Sequence, residues 1–324
     1  MQDTPEDFED LPAAGDYIGQ QLWLAKGDRK STEEAIRQKD FDGLKGSANN
    51  KISFINESYS RAGKSAEELK SILQCLWYVY YQVGKNVAYS SPEQDTWVLH
   101  IVQAHGQGNL TRRAQRSHNG DDGDNNDNKL EIATTSAGII WEDLPFFTAD
   151  MTDFWVKDCA TMSAAQRVNF SHFLAKLAST GVDDSLCGIA LLVFNDAFET
   201  VRPLGSFVDQ SDEDPHRALH DLTIAALLPA AQAWLLTANN KIIQLSDKLW
   251  NSLATVRQDK ITFTKLEEIK DEAKRAGEDT LAKSVLDTME RMLSRVEDTD
   301  TRVQRELEAA GNLVRNQHRF SRNT

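Results

Sequence analysis

Asn195, Asp196, Glu199 and Arg202 are the polar residues in a very apolar stretch, Leu186, Ile189, Ala190, Val193, Phe194, Ala197, Phe198 and Val201. Asp196 and Glu199 are three apart, as are Glu199 and Arg202, so neighbours on a helix surface can meet. A paired cluster of this kind lining a cleft could do acid/base chemistry. The expected role is plainer. Charges on so apolar a helix cost too much unless they are paired, and a structural ion pair tying helices together meets that need. Counting about 100° per residue, Phe194 and Phe198 share one core layer, Asp196 faces away from it, and Glu199 lies about 60° from Asp196.

His216 and His220 are four apart and would face the same way on a helix. Asp212, Glu213, Asp214 and Asp221 stand nearby as further ligands for a metal ion. The zinc-protease signature needs Glu directly after the first His, and Arg217 stands there. A solvated helix start, with acids that suit the helix dipole, is therefore expected, and no metal. The run Asn119 to Asn128 has the composition of a calcium loop without its spacing. Counted from Asp122, the sixth and twelfth places hold Asp127 and Ala133 where Gly and Glu are required. Trp77, Tyr78, Tyr80 and Tyr81, with Trp97 and Trp141, could line an apolar pocket, although such residues are more often core. His100 and His105, five apart, do not share a helix face. No glycine-rich phosphate loop, GxSxG turn or Cys–His pair is present, and no cofactor is expected.

These residues must be positioned by helices. Ser65-Ala66-Glu67-Glu68 is a capping box opening a strong helix, with Leu69, Ile72, Leu73, Leu76, Tyr80, Val83 and Val87 at helical spacing. Its further aromatics predict cover on more than one side. Ser91-Pro92 reads as N-cap and first helical residue. Ser163-Ala164-Ala165-Gln166 caps another helix, carrying Phe170, Phe173, Leu174 and Leu177 inward and Gly181 at its end. Asp214-Pro215 is expected to open the helix through Leu222 to Leu236, which Pro229 should kink or split. Gly27 and the capping box from Ser31 predict a break between two short helices, and Gly43, Gly46, Asn49 and Asn50 predict a loop before a helix over Lys51 to Tyr59. Further helices are expected from Lys241 to Ala254, in a short charged stretch capped at Thr264, and from Glu278 onward. No segment has strand alternation. The fold class is all-α, a multi-helix array of about ten to thirteen helices around the apolar pair at 186–201 and 222–236, with no core sheet.

The organisation follows: a flexible acidic arm over 1–13, an N-terminal helical part over 14–105, a disordered acidic insertion over 106–137, a helical core over 138–310 and a basic tail over 311–324. The 324 residues are 40% hydrophobic, with seven Trp and thirteen Phe, enough for a sizeable core. A net charge of −14 and a pI near 5.0 repel phosphate backbones, which argues against nucleic-acid binding. Cys75, Cys159 and Cys187 form no CxxC and no zinc spacing, so buried reduced thiols in an intracellular, cytoplasmic protein are expected. Residues Met1 to Asp16 carry six acids and no base, unlike a signal or transit peptide. The apolar run from Leu222 to Ala238 is short for a membrane span and contains Pro229 and Gln232.

Trp141-Glu142-Asp143-Leu144-Pro145, the helix from Asn169-Phe170 to Leu177, Asp196-Ala197-Phe198-Glu199 and Leu228-Pro229-Ala230-Ala231-Gln232-Ala233-Trp234 together resemble a family of fungal, mainly ascomycete, proteins known only as a domain of unknown function. The resemblance covers roughly residues 141–250. It implies a fungal intracellular helical protein and transfers no activity. Two functional classes follow from the residues. The leading one is a non-catalytic interaction or scaffold protein with a protein partner. The other is an enzyme or binder of a small apolar or cationic metabolite, with a pocket beside the central helices and Asp196 and Glu199 near it. Neither class fixes an oligomeric state.

Overall fold

A computed structural model describes residues 17–113, 130–206, 213–242, 244 and 258–291. The chain divides into two compact units, one built from residues 1–191 and 211–221, the other from 192–210 and 222–324. Helices dominate both, and the only strands among the described residues form two short two-stranded ribbons.

The first unit contains α1 (Tyr17–Gln38), α2 (Phe41–Ser60), α3 (Lys70–Asn86), α4 (Pro92–His105), α5 (Phe147–Asp158) and α6 (Ala164–Thr180). α3 is its hub, packing against each of the other five. Leu73, Leu76, Trp77, Val79, Tyr80 and Val83 are wholly buried, so this helix is covered on more than one side, as its surplus of aromatics predicted. The Ser65 box forms in full. Glu68 Oε2 accepts from Ser65 N at 2.7 Å, and Glu68 N donates back to Ser65 Oγ at 3.3 Å. Close approach of α3 and α6 depends on Gly84, because a Cβ there would lie 2.5 Å from the buried Phe173 ring. The Ser91 N-cap with Pro92, the two-sided Ser163–Gln166 box and the left-handed Gly181 also form as the sequence indicates.

Several local signals lose to packing. α1 runs straight through Gly27 and Ser31, and Thr32 Oγ1 bonds back to Asp28 O at 2.9 Å inside it. The predicted loop at Gly43–Asn50 is the first half of α2, capped by Asp40, whose Oδ1 accepts from Gly43 N at 2.9 Å. Each glycine costs a helix only about 1 kcal/mol, while burying a residue such as Leu44, Ile52 or Ile55 returns about 1.5–3 kcal/mol. The stretch at 106–137 also contains more order than its composition predicts. β1 (Thr111–Arg113) pairs antiparallel with β2 (Leu130–Ile132), and β3 (Thr134–Thr135) with β4 (Gly138–Ile139). Arg112 anchors the first ribbon. It holds Glu131 through two bonds of 2.9 and 3.1 Å, reaches the carbonyls of Gly63 and Lys64, and stacks over Tyr59. The acidic centre at 119–128 lies outside the described residues.

α5 ends in a turn held by two arginines. The buried Arg167 donates to the Cys159 and Met162 carbonyls, and Arg217 donates to those of Ala160 and Met162. Cationic donors there complement the carbonyl end of the helix. On α6, His172 stacks on Tyr89, with centroids 4.2 Å apart and planes 9° from parallel. Burial, with Lys176 adding to it, lowers its pKa from 6.5 to about 4. A folded-state pKa below the unfolded one means stability present above pH 6.5 and lost as pH falls toward 4. Urea midpoints at pH 7.5 and 4.5 should therefore show the wild type losing about 2–3 kcal/mol more than His172→Phe. Equal losses in the two proteins would contradict it.

In the second unit α7 (Cys187–Phe194), whose first residues belong to the first unit, passes at Asn195 into a π-helical turn ending at Glu199. α8 (Ile224–Thr237) is the most buried helix here. Its N-cap is Thr223, so Asp214-Pro215 does not open it. That dipeptide makes a turn in which Asp214 Oδ1 accepts from His216 N at 2.9 Å. Pro203 O and Leu204 O accept from Ile224 N and Ala225 N, satisfying donors in the first turn of α8. Pro229 lies inside α8, yet the helix runs unsplit from Ile224 to Thr237 although a proline there cannot make the i→i−4 bond. α9 (Gln258–Ala276) runs through Thr264 instead of starting there, and a helix at 279–291 follows, with Leu281, Val285 and Met289 buried as their spacing predicted. Of the helix expected from Lys241 to Ala254, most lies outside the described residues, as do the arm at 1–13 and the tail at 311–324.

Candidate functional site

The Asp196 group comes together in part. Arg202 Nη2 lies 3.3 Å from Asp196 Oδ1, its Nε donates to Asp196 O at 2.8 Å, and Nη1 donates to Leu222 O at 3.3 Å. The Arg202 side chain is 4% exposed and that of Asp196 19%. This guanidinium ties Asp196, near the start of the π turn, to Leu222 on the approach to α8. Glu199 and Asn195 are exposed instead. The expected 60° between Asp196 and Glu199 assumed an α-helix, and the π turn, with Thr200 N bonded to Asn195 O, abolishes that count. Phe194 and Phe198 do share a layer, stacked at 5.9 Å.

His216 sits on a turn and His220 in a 3-10 turn, so the shared helix face that would have aligned them does not exist. His220 is 85% exposed beside Asp221. Asp212 lies outside the described residues. Among the described residues, no group of three or more His, Cys, Asp or Glu is placed to hold a metal ion.

The aromatic residues are core, and their polar atoms, Trp97 Nε1 excepted, are hydrogen-bonded. Trp77 Nε1 donates to Pro145 O, Trp141 Nε1 to Asn56 Oδ1, Tyr78 O–H to Glu33 and Tyr81 O–H to Asp158. Burial comes first in raising both tyrosine pKa values, followed by the carboxylate each one touches. Tyr80 O–H and His100 Nδ1 are 2.8 Å apart, and His100 Nε2 is 2.8 Å from Asn49 Oδ1. Asn49 offers only an acceptor there, so Nε2 carries the proton and Nδ1 accepts from Tyr80. Burial lowers the His100 pKa, which keeps the ring neutral. Trp97 Nε1 has no partner.

A cleft does open on the outer side of the hub helix. Its volume is about 400 Å³. Ala25 and Asp28 on α1, Phe54 on α2, and Ser71, Ile72 and Cys75 on α3 line it, with Glu68 from the turn before α3 and Lys64 from the connection after α2. Separations of three and four residues put the α1 pair, and Ser71, Ile72 and Cys75, each on one helix face. Lys51 Nζ bonds Asp28 Oδ1 and Ser47 Oγ, both at 2.9 Å. Asp28 Oδ2 is buried without a hydrogen-bond partner. Burial pushes the Cys75 thiol up to about 11, with the Asp28 carboxylate adding to it, so at neutral pH this sulfur is a thiol and a poor nucleophile. Lys64 Nζ stands 5.3 Å from the centre of the half-exposed Phe54 ring. Such a mixture of apolar wall and a few polar groups suits binding more than bond-breaking.

In the sequence Glu68 and Ile72 stand out only as parts of a cap and a helix, and Cys75 only as a buried thiol; nothing marks these residues as one site.

Residues 77–309 match a protein family described as "Protein of unknown function (DUF3632)". The chain belongs to this family. The match reaches well beyond the 141–250 segment that carried the resemblance, and the cleft residues all precede it. A Penicillium oxalicum (strain 114-2 / CGMCC 5302) protein named oxopyrrolidines biosynthesis cluster protein G is 32% identical over 329 residues, spanning 94% of this chain and 89% of that protein. That relative is fungal, as the resemblance implied, and its alignment takes in most of the chain. No solved structure matches. No helix among the described residues is long and apolar enough to cross a membrane.

Proposed function

We propose that this member of the family is a non-catalytic helical protein that serves small-molecule biosynthesis by holding a compound in the cleft beside α3. The observation that carries the reading is the cleft itself, with Ala25, Phe54 and Ile72 as an apolar wall and the Asp28, Lys64 and Glu68 side chains among its lining. Its cysteine, Cys75, is a protonated thiol, which favours binding over covalent chemistry at that sulfur. The relative's name ties that protein to the biosynthesis of oxopyrrolidines, and carried over to this chain it supports service to a small molecule. Protein docking is the second reading, favoured by Leu130 and Ile132, which are both exposed on β2.

The test is native mass spectrometry of the chain after incubation with an organic extract of a fungal culture. One small molecule should be retained at one-to-one stoichiometry, and Ala25→Trp, which places an indole in the cleft, should abolish its retention. Retention unchanged in Ala25→Trp, or no retained molecule at all, would overturn the reading.

A further inference from the structure

Resting on that reading, we infer that the compound held in the cleft is uncharged and mainly apolar, a small ring-bearing body seated on Ala25, Phe54 and Ile72, and neither an acid nor an amine. Charge comes first. Three ionised side chains border the cleft, Asp28, Lys64 and Glu68, and each has an answering charge. Asp28 is paired at 2.9 Å with Lys51, whose side chain is 8% exposed. Lys64 and Glu68 attract each other, and Arg112, the other cation acting on Glu68, is held by Glu131. The sum is zero. A ligand with a net charge of either sign would leave water for a wall with no opposite charge to spare, which is unfavourable.

Hydrogen bonds are closed in the same way. Asp28 Oδ1 accepts from Lys51, and the carboxylate shares a further side-chain hydrogen bond with Cys75, which engages that thiol too. Glu68 Oε2 accepts from both the N–H and the hydroxyl of Ser65. Lys64 lies against the Phe54 ring at the margin, where a lysine stem covers apolar surface and its ammonium keeps its water. A ligand rich in polar groups would give up hydration and find few partners in exchange. What the lining leaves unsatisfied is apolar surface: the half-exposed Phe54 ring, with Ala25 and Ile72. At about 400 Å³, toward the lower end of the range for ligand pockets, the space suits a compound of one or two rings.

Three probes on one phenylpropyl frame test the balance: uncharged 4-phenylbutan-2-one, anionic 3-phenylpropionate and cationic 3-phenylpropylammonium. Saturation-transfer NMR titrations on the full chain, at neutral pH and about 0.15 M salt to screen its net charge, should place the ketone about tenfold ahead of both ions. Ala25→Trp should lose the ketone, which locates it in the cleft. An uncharged molecule favours any apolar surface, so two variants test the charge balance itself. Lys64→Met leaves the wall one negative charge and should shift the ratio of the two ions about threefold toward the ammonium. Glu68→Gln leaves one positive charge, keeps an acceptor for Ser65, and should shift that ratio about threefold toward the propionate. An ion that binds as tightly as the ketone, variants that leave the ratio unmoved, or no binding of any probe would overturn the assignment. The extract experiment tells that failure apart from failure of the underlying reading: a charged molecule retained by the wild type and lost in Ala25→Trp leaves a binding protein for another chemical class, whereas nothing retained removes the binding function as well.

Discussion

Replacing Trp77 by Ala is expected to cost the first unit about 3–5 kcal/mol for the cavity alone, with about 1–3 kcal/mol more for the carbonyl it deserts. The indole is 0% exposed. It meets Phe147 edge-on at 5.1 Å and stacks with Tyr80 at 5.9 Å. Its N–H, 2.9 Å from Pro145 O, holds a turn in which Leu144 and Phe146 both take left-handed backbone conformations, at φ 46° and 68°. Residues without glycine's freedom stay there only when their surroundings compel them, at about 1–3 kcal/mol each. Trp77→Phe keeps most of the apolar volume and loses the donor, so it should fall near the smaller figure. Urea denaturation followed by far-UV circular dichroism reads both. A Trp77→Ala loss below about 1 kcal/mol would mean that α3 is not the packing centre of its unit.

Arg202→Ala should be the other severe change, at about 3–5 kcal/mol, because it leaves Asp196 mostly buried without its guanidinium and takes donors from two carbonyls. Glu199→Ala, at an exposed position, should stay within about 0.5 kcal/mol of wild type. The contrast separates the two roles weighed for this cluster. A site for acid/base chemistry would need both carboxylates, and their loss would spare stability while removing a binding activity. An ion pair that anchors the π turn needs only Asp196 and Arg202. Similar melting midpoints for Arg202→Ala and Glu199→Ala would exclude the anchoring role.

Much of the helical frame was legible in one dimension. The boxes at Ser65 and Ser163, the Ser91-Pro92 start and the Gly181 stop act through bonds within four residues of themselves, so local sequence suffices to find them. The apolar spacing of α3 likewise announced a helix covered on several sides. Breaks placed at Gly27, at Gly43–Asn50 and at Thr264 were wrong for one reason. A glycine or a possible cap shifts a helix by about 1 kcal/mol, and a buried face outweighs it. The π turn at Asn195 was invisible for a related reason, since the sequence specifies a helical stretch and its fit against the packed neighbours selects the wider turn.

The cleft shows the division most clearly. Composition and periodicity determined by themselves that the chain is helical, that its cysteines are buried thiols, and that its aromatics belong to a core. Only the tertiary structure decided that Asp28, Lys51 and Cys75, which lie 23 and 24 residues apart in turn, meet around one carboxylate. Each residue is unremarked on its own helix. What gives the group a chemical meaning is α1 and α2 packing against the same side chains of α3, and that depends on the shapes of three helical faces, which no local pattern records.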